Sequence, residues 1–377
     1  MNKKNEQLSL IKSKKSDRLK YYVAFSHINV RPLFKTKLLE YFDYDIERAY
    51  NVNLSEISKI AEYYEIQPAR SFIQKRSEVN ADSCFEEFLK HEDVNLLTIE
   101  DDNYPEYLKE IPDYPVALYY KGNIENIDYN YALSVVGSRN ASAEAKIALN
   151  SIISNFKNSN ITIISGLAYG IDATAHTAAL NNNLRTIGVI GSGIDIVYPR
   201  QNKKLYSDII EAGGAILSEY PLQTPPMAQN FPQRNRIVVG LSRGTLVGEA
   251  RLKSGAMISA NLALDFNREL MCIPGNILNP NTEGIYHLIR NGAGIVSTGE
   301  DLLNCLGWDI INNKPEEIQP VDDIQKSIMK VLELESKTFD DIITNINGDV
   351  SKVMVALTEL ELSGLIKQVN NKYYRCK

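Results

Sequence analysis

Four apolar runs in the central part of this chain each end in a glycine-rich break that carries a hydroxyl group or an arginine. When such breaks follow the carboxyl ends of parallel strands, their backbone N–H groups stay free to bind phosphate. None of the breaks holds a pair of side chains suited to nucleophilic catalysis. The sequence therefore predicts an anion-binding site first and an enzyme only second. The four breaks are Gly137-Ser138-Arg139, Ser165-Gly166, Gly191-Ser192-Gly193 and Gly240-Leu241-Ser242-Arg243-Gly244.

The first break joins three residue types that suit one task. Gly137 permits close approach of a ligand to the backbone, Ser138 offers a hydroxyl, and the planar guanidinium of Arg139 can bind a phosphate through two hydrogen bonds. Ser142 is a good N-cap for the helix that should follow. The alternative is an ordinary strand-to-helix turn with a solvated arginine.

The densest basic segment begins at Phe231. Arg234 and Arg236 flank Asn235 there, and a strand is predicted over residues 237–239. On a loop at the end of a helix, two arginines could bind two phosphates while the aromatic ring stacks on one base, as in proteins that bind single strands.

Two glutamates support other interpretations of the same loops. One of the two arginines could be buried against Glu219 or Glu249 and hold the loops together, so we expect one arginine in each role. Glu249 also invites a general-base interpretation, and Lys253-Ser254-Gly255 follows it as a turn before a helix. Hydrolysis would need a second polarising group or a metal, and the sequence shows neither.

The remaining glycine loops carry weaker signals. Tyr169 lies in the loop over residues 165–172, whose glycines should expose N–H groups at a strand-to-helix junction. His176 has no cysteine or second histidine nearby, so we expect it to pack within a helix. The segment Gly191-Ser192-Gly193 begins like a dinucleotide-binding fingerprint, but Ile196 stands at the third glycine position, which argues against a nicotinamide cofactor.

The overall charge of −6 conceals an uneven distribution along the chain. Residues 1–20 carry seven lysines and arginines against two acids, and residues 131–300 carry 14 against 11. Residues 21–130 and 301–377 are both acidic. A mildly basic glycine-loop segment is compatible with a polyanionic ligand, because local potential governs binding more than net charge does.

Cysteine usage and hydropathy indicate the compartment. The four scattered cysteines form neither a CxxC motif nor a Cys/His cluster, which argues against a disulfide framework or a zinc site. The basic start is not followed by an apolar segment, and no apolar run approaches the roughly 18 residues of a membrane span. We therefore expect a cytoplasmic protein without a metal, a cofactor or a membrane contact.

The sequence divides into five parts. Residues 1–20 are predicted to be a mobile basic arm, residues 21–92 a helical module, residues 93–308 an α/β domain, residues 309–320 a polar linker and residues 321–377 a winged-helix-like module. Short apolar runs alternate with helical stretches in the α/β part, which predicts an extended Rossmann-like parallel sheet. Three helical stretches followed by a β-hairpin predict the winged helix.

Six ordered segments resemble the DNA-processing protein A family (DprA, also called Smf), whose members act in bacterial natural transformation. The resemblance covers roughly residues 96–305, and six motifs in order are highly specific. They are VVGSRNAS at 135–142, SGLAYGIDATAH at 165–176, GSGIDIVYP at 191–199, SEYP at 218–221, FPQRNRIVVGLS at 231–242 and EARLKSGAMISANLAL at 249–264.

This resemblance implies an extended Rossmann domain that binds single-stranded DNA in a basic pocket and assembles as a homodimer. It also implies that the protein protects the incoming strand and loads the RecA recombinase onto it, as a binding protein and not as an enzyme. The phosphate loop of the family falls on Gly137, Ser138 and Arg139, and its RNR element falls on Arg234-Asn235-Arg236.

Two positions depart from the family pattern. Tyr169 stands where members often carry a basic residue, which removes one expected phosphate contact and could replace it with stacking. Ala256 replaces the second serine of a common SGS motif but keeps the turn. The predicted nucleic-acid-binding residues are Gly137, Ser138, Arg139, Ser165, Gly166, Tyr169, Gly191, Ser192, Gly193, Phe231, Arg234, Asn235, Arg236, Lys253, Ser254 and Gly255.

Other functions stay open from the sequence. A Rossmann-like sheet with glycine loops and Glu249 also resembles the nucleoside-monophosphate phosphoribohydrolases of cytokinin-activating type, and a nucleotide-sensing module is a third possibility. In the C-terminal module, the predicted recognition helix over residues 351–362 offers Lys352 against Glu359 and Glu361. Reading duplex DNA would need a more basic helix, so we predict a protein–protein or regulatory role for this module.

Overall fold

The computed structural model describes most of the chain, in two compact units divided between residues 310 and 311. Most of the predicted arm over residues 1–20 and of the predicted linker over residues 309–320 lies outside the described residues. Within the described ranges, every helix is too short or too polar to span a bilayer. The described residues are 18–66, 71–309, 323–332, 336–346, 348–362, 365–369 and 372–375.

In the part of the chain that the structure describes, six helices precede the sheet of the larger unit. Polar caps begin several of them: the Asp45 carboxylate accepts a hydrogen bond from the Arg48 N–H, and Asn53 and Glu56 form a reciprocal capping box. Their apolar side chains, such as Phe34, belong to the same buried cluster as residues of the sheet domain, so the N-terminal helices share its core. The helices are α1 (residues 18–27), α2 (Pro32–Tyr41), α3 (Ile46–Tyr50), α4 (Leu54–Tyr63), α5 (Ser71–Ser77) and α6 (Ala81–Leu89).

A nine-stranded sheet forms the centre of the larger unit. Its strands are β1 (Asn95–Thr98), β2 (Ala117–Gly122), β3 (Ala132–Val136), β4 (Thr162–Ser165), β5 (Arg185–Ile190), β6 (Ala215–Ser218), β7 (Gly244–Val247), β8 (Glu269–Cys272) and β9 (Gly294–Ile295). Their spatial order is β1-β2-β6-β5-β4-β3-β7-β8-β9. Neighbouring strands in the series β6-β5-β4-β3-β7-β8-β9 pair in parallel. At the β6 edge, β2 pairs antiparallel with β6, and β1 pairs antiparallel with β2.

Helices cover both faces of this sheet. They are α7 (Glu106–Lys109), α8 (Ala143–Ser154), α9 (Ile171–Asn181), α10 (Lys203–Glu211), α11 (Asn230–Gly240), α12 (Gly255–Asp265), α13 (Glu283–Arg290) and α14 (Gly299–Leu306). Successive side chains of a strand point to opposite faces, so Leu133 and Val135 of β3 pack with α8, α9 and α14, while Ala132 and Val136 pack with α11 and α12. The double burial explains why β3 is apolar at nearly every position.

The chain changes direction in the sheet at β3. From β3 it proceeds through β4 and β5 to β6 on one side, and it then returns to place β7 on the other side of β3. The connections after β3 and β7 therefore lead to opposite sides of the strand order, and the carboxyl edge of the sheet at such a point is where ligands bind in open α/β sheets.

One predicted strand is wrong. Residues 237–239 belong to the last turn of helix α11, and the next strand, β7, begins five residues after Val239. A short run of β-branched residues cannot be told from a fully buried helical segment by periodicity alone, and Ile237, Val238 and Val239 are all buried.

The described residues of the smaller unit form three helices and a three-stranded antiparallel sheet, which confirms the predicted winged-helix-like module. Its elements are α15 (Asp323–Val331), β10 (Lys337–Thr338), α16 (Phe339–Ile346), α17 (Val350–Leu362), β11 (Ile366–Val369) and β12 (Lys372–Arg375). The strand order is β10-β12-β11, and Ile328, Val353 and Leu357 lie in its core. Together with the parallel sheet and the helical N-terminus, this module confirms the predicted fold class.

A fully buried histidine gives the larger unit a specific dependence on pH. The Thr186 hydroxyl donates to the Ile163 carbonyl at 2.8 Å, so His176 must donate to that hydroxyl through Nδ1, at 2.7 Å. Its Nε2 atom is buried without a partner. Burial, with the charge of Arg234 as a smaller cause, lowers the pKa of His176 to about 3.

We predict that the free energy of unfolding falls with acidification partly because of His176. Between pH 6.5, the ordinary histidine pKa, and pH 3, the unfolded chain binds a proton that the folded chain excludes, so stability is lost as the pH falls. The slope contributed by this residue is up to about 1.4 kcal/mol per pH unit. Urea unfolding between pH 7 and pH 4 should show that the free energy of unfolding of His176→Gln depends less steeply on pH than that of the wild type. An identical slope in the two proteins would contradict the low pKa assigned to His176.

Candidate functional site

A cavity of about 660 Å³ opens at the carboxyl edge of the sheet, where the chain changes direction. The loops after β3 and β4, one flank of α11 and the start of α12 line it. The structure thus brings together nine residues predicted from the sequence: Gly137, Ser138, Arg139, Gly166, Phe231, Arg234, Asn235, Ser254 and Gly255.

A buried arginine lies beside a buried carboxylate at the base of the cavity. Arg234, which is 3% exposed, donates from Nη1 to the Gly166 carbonyl oxygen at 2.6 Å and to the Val189 carbonyl oxygen. The Asp172 carboxylate lies beside it, and burial raises the pKa of Asp172 while the charge of Arg234 opposes that rise. Arg234 therefore joins the ends of β4 and β5, and Asp172 balances its charge.

Asp172 also changes the role of the second glycine loop. Its carboxylate accepts a hydrogen bond from the Ala168 N–H at 3.4 Å and interacts with the Gly166 N–H. The sequence predicts that these N–H groups would be exposed to a ligand, but a carboxylate of the chain itself already engages them. The loop after β4 is therefore a support for Arg234 and not an open anion cradle.

Two exposed arginines face the cavity above this base. Arg139 follows β3, and its guanidinium carbon lies 5.5 Å from the centroid of the Phe231 ring. Arg251 donates from Nε to Asn281 Oδ1 at 2.5 Å, and Asn281 in turn donates to the Asn140 carbonyl oxygen at 3.3 Å. These contacts hold the loop after β7 against the loop after β3, so the two cations stand on adjoining walls.

Arg251 is not among the binding residues predicted from the sequence, which include Lys253 of the same segment. Lys253 is exposed but does not line the cavity. The available signal was the start of α12 at Gly255, since residues in the loop just before a helix beside the switch point approach the ligand crevice. Which of two nearby cations faces the crevice depends on the turn, and the turn is not readable from composition.

The start of helix α12 adds a third source of positive potential. Ser254 occupies its N-cap position but donates its hydroxyl back to the Arg251 carbonyl oxygen at 2.8 Å and does not cap the helix. Gly255, Ala256 and Ser259 line the cavity. The first N–H groups of an α-helix lack intrahelical partners and carry the positive end of its dipole, so this wall suits an anion.

Arg236 does not line the cavity. Its guanidinium is 4% exposed and lies 2.6 Å from a Glu219 carboxylate oxygen and 3.2 Å from Asp113. This ion pair matches the alternative in which Glu219 buries one arginine to hold the loops. The expected division of roles needs revision, because Arg234 is buried as well, and the exposed cations of the cavity are Arg139 and Arg251.

Five further predicted residues also lie outside the cavity lining. The buried hydroxyls of Ser165 and Ser192 donate to carbonyl oxygens, at 2.6 Å and 3.0 Å, and the Gly193 N–H donates to the Thr224 carbonyl oxygen at 2.8 Å. Gly191 packs against the Phe231 ring, and the Tyr169 hydroxyl donates to Gln201. In the structure these groups take part in contacts within and between the loops.

Glu249, the candidate general base, is buried and bonded to the residue that begins helix α8. It is 1% exposed, and one carboxylate oxygen accepts hydrogen bonds from the Ser142 hydroxyl at 2.6 Å and the Ser142 N–H at 3.2 Å. It does not line the large cavity. The carboxylate therefore anchors the start of α8. Among the described residues, no three His, Cys, Asp or Glu side chains are placed to hold a metal ion.

The chain is similar to known proteins over most of its length. The family described as DNA recombination-mediator protein A matches residues 95–307, and the DprA winged helix domain matches residues 312–372. Protein Smf from Escherichia coli (strain K12) is 36% identical over 321 residues, which make up 83% of this chain and 85% of that protein.

Two solved structures are similar in fold and sequence. The X-ray structure of DNA processing protein A from Streptococcus pneumoniae has a TM-score of 0.64 and 36% identity, and the match covers 75% of this chain and 95% of that one. A structure concerning the single-stranded DNA binding mode of DNA processing protein A from Helicobacter pylori has a TM-score of 0.51 and 29% identity. That match covers 57% of this chain and 97% of the other.

Gly166 is predicted to be required for the buried pair. A Cβ atom at this position would lie 2.6 Å from Arg234 Nη2 and 2.7 Å from Asp172 Oδ2, so one of the two side chains would have to move. Gly166→Ala should lower the free energy of unfolding by about 1–3 kcal/mol, measured by urea denaturation.

Gly255→Ala is the matched control for this substitution. A Cβ atom at position 255 meets nothing within 4 Å, and the position begins a helix. The free energy of unfolding of Gly255→Ala should therefore stay within about 0.5 kcal/mol of the wild-type value. Equal stability of Gly166→Ala and the wild type would show that the pair tolerates displacement.

Proposed function

The chain belongs to the DNA recombination-mediator protein A family, and from that premise we propose that it binds single-stranded DNA in the cavity at the switch point, chiefly through the phosphates. One observation carries the proposal: Arg139, Arg251 and the uncapped start of α12 face the same cavity from adjoining walls. Three positive groups around one opening suit a chain of phosphates better than a single neutral ligand.

In this proposal, Arg139 and Arg251 each bind a phosphate of the strand. A guanidinium presents paired donors that match two phosphate oxygens, and both side chains are exposed, so they can reach the backbone without unfolding the loops. The N–H groups at Gly255 and Ala256 contribute further donors near the same path. Because none of these contacts involves a base edge, binding should tolerate any sequence.

Arg234 acts differently in this proposal. Its guanidinium is committed to the Gly166 and Val189 carbonyl oxygens and to the neighbouring Asp172 carboxylate, so it positions the loops and adds little net charge. Asn235, on the same helix, donates to the Gly255 carbonyl oxygen at 3.4 Å and thereby ties α11 to the start of α12. Helix α11 thus fixes the distance between the walls that would hold the strand.

We propose the family role for the bound strand as well. In natural transformation the protein would protect the incoming single strand and load the RecA recombinase onto it, in the cytoplasm and as a homodimer. It would act as a binding protein, without a catalytic step. The family membership over both units supports this role, and the environment of Glu249 at the start of α8 gives no support to the phosphoribohydrolase alternative.

The phosphate contacts can be tested by the salt dependence of oligo-dT binding. The logarithm of the affinity should fall linearly with the logarithm of salt concentration, and Arg139→Ala or Arg251→Ala should each reduce the size of the slope by about 0.7, the value for one phosphate contact on a single strand. Each substitution should also weaken binding roughly tenfold at low salt, to the same extent for every sequence.

Lys157→Ala removes a comparable positive charge far from the cavity. Lys157 is exposed and lies just after the end of α8, which runs from the carboxyl edge of the sheet to the opposite edge. This variant should keep the wild-type slope. If Arg139→Ala and Arg251→Ala also keep it, the strand does not bind where we place it.

A further inference from the structure

An aromatic pair stands at the mouth of the cavity, and its exposed member carries no assigned role. Tyr198, in the turn after β5, lies with its ring centroid 5.5 Å from that of Phe231, and the two planes are inclined by 36°. Both residues line the cavity. Phe231 was the residue expected from the sequence to stack on a base.

The surroundings of Phe231 leave little of its ring for a ligand. Besides Tyr198, the Arg139 guanidinium lies 5.5 Å from its centroid. A Cβ atom added to Gly191 would meet the ring at 3.1 Å, so the ring rests directly on that stretch of backbone. Phe231 is therefore enclosed by a cation, an aromatic ring and a peptide segment, and it is only partly exposed.

Tyr198 is more accessible to a ligand than Phe231, because 42% of it is exposed. The turn that carries it is anchored by Asn202, whose side chain donates to the Leu167 carbonyl oxygen at 2.9 Å. Pro199, the next residue, is buried. An exposed aromatic ring on an anchored turn can receive a planar group without first being ordered, which keeps the entropic cost of binding low.

We propose that Tyr198 is the base-stacking residue of the cavity, with Phe231 as the support behind it. This inference rests on the proposed function. Arg139 and Tyr198 both contact the Phe231 ring, so a nucleotide whose phosphate binds Arg139 has its base beside Tyr198. Every base has a π-face, so this contact adds affinity without selecting a sequence.

The proposal makes Tyr198 a positioning residue for the strand. Phosphate contacts alone would let the backbone slide along the arginines, whereas one base held against a fixed ring sets the register of the chain. The contact depends on the ring and not on the hydroxyl. Phenylalanine should therefore replace tyrosine at this position, and an aliphatic or small side chain should not.

The test compares two oligonucleotides of equal length, oligo-dT and an abasic oligomer with the same sugar–phosphate backbone and no bases. Tyr198→Ala should weaken binding of oligo-dT by about 5- to 100-fold, and Tyr198→Phe should bind within about twofold of the wild type. On the abasic oligomer, the wild type and Tyr198→Ala should bind equally, because no base is present to stack. Tyr63→Ala, at an exposed position of α4 outside the cavity lining, should match the wild type on both.

The possible outcomes separate this inference from the function on which it rests. If Tyr198→Ala weakens binding of both oligomers equally, or of neither, Tyr198 does not stack on a base and the inference is overturned while phosphate binding stands. If the wild type binds neither oligomer in a salt-dependent manner, the proposed function itself is overturned. A loss confined to oligo-dT, restored by Tyr198→Phe, supports the stacking assignment.

Discussion

The burial of the Arg234 guanidinium beside the Asp172 carboxylate is the constraint on which the candidate site depends. Removing two charges from water is unfavourable, and only close hydrogen bonding compensates for it; breaking one partner of such a pair typically destabilises a protein by about 3–5 kcal/mol. Here the compensation comes from the carbonyl oxygens of Gly166 and Val189 and from N–H groups of the loop after β4. The ends of two parallel strands and the middle of α11 are thereby fixed to one another.

A division between buried and exposed arginines follows from this constraint. Arg234 and Arg236 stand two residues apart on α11, and each is neutralised inside the protein, the first beside Asp172 and the second by Glu219 and Asp113. Rigid loops then present other cations to solvent. A buried arginine gives shape to a site, whereas an exposed arginine gives it affinity, and the same residue cannot do both well because its donors are limited to five.

Much of the fold could be predicted from the sequence, because apolar runs that alternate with helical stretches allow few topologies other than a parallel sheet. The site was predictable only in part. Glycine breaks located the correct edge of the sheet, but a run such as Val238-Val239 is equally apolar in a buried helix and in a strand. Ion pairs between distant residues also cannot be predicted from the sequence, as with Arg236 and Glu219, which are 17 positions apart. The same holds for which of two nearby cations lines the cavity, since Arg251 does and Lys253 does not. Side-chain exposure, which distinguishes Tyr198 from Phe231, exists only after the loops have packed.

The most direct test of this account is a crystal structure of the chain bound to oligo-dT. The account requires phosphate oxygens within hydrogen-bonding distance of both Arg139 and Arg251, with the Arg234–Asp172 pair unchanged beneath them. A strand bound on another surface, with these two side chains turned to solvent, would contradict it.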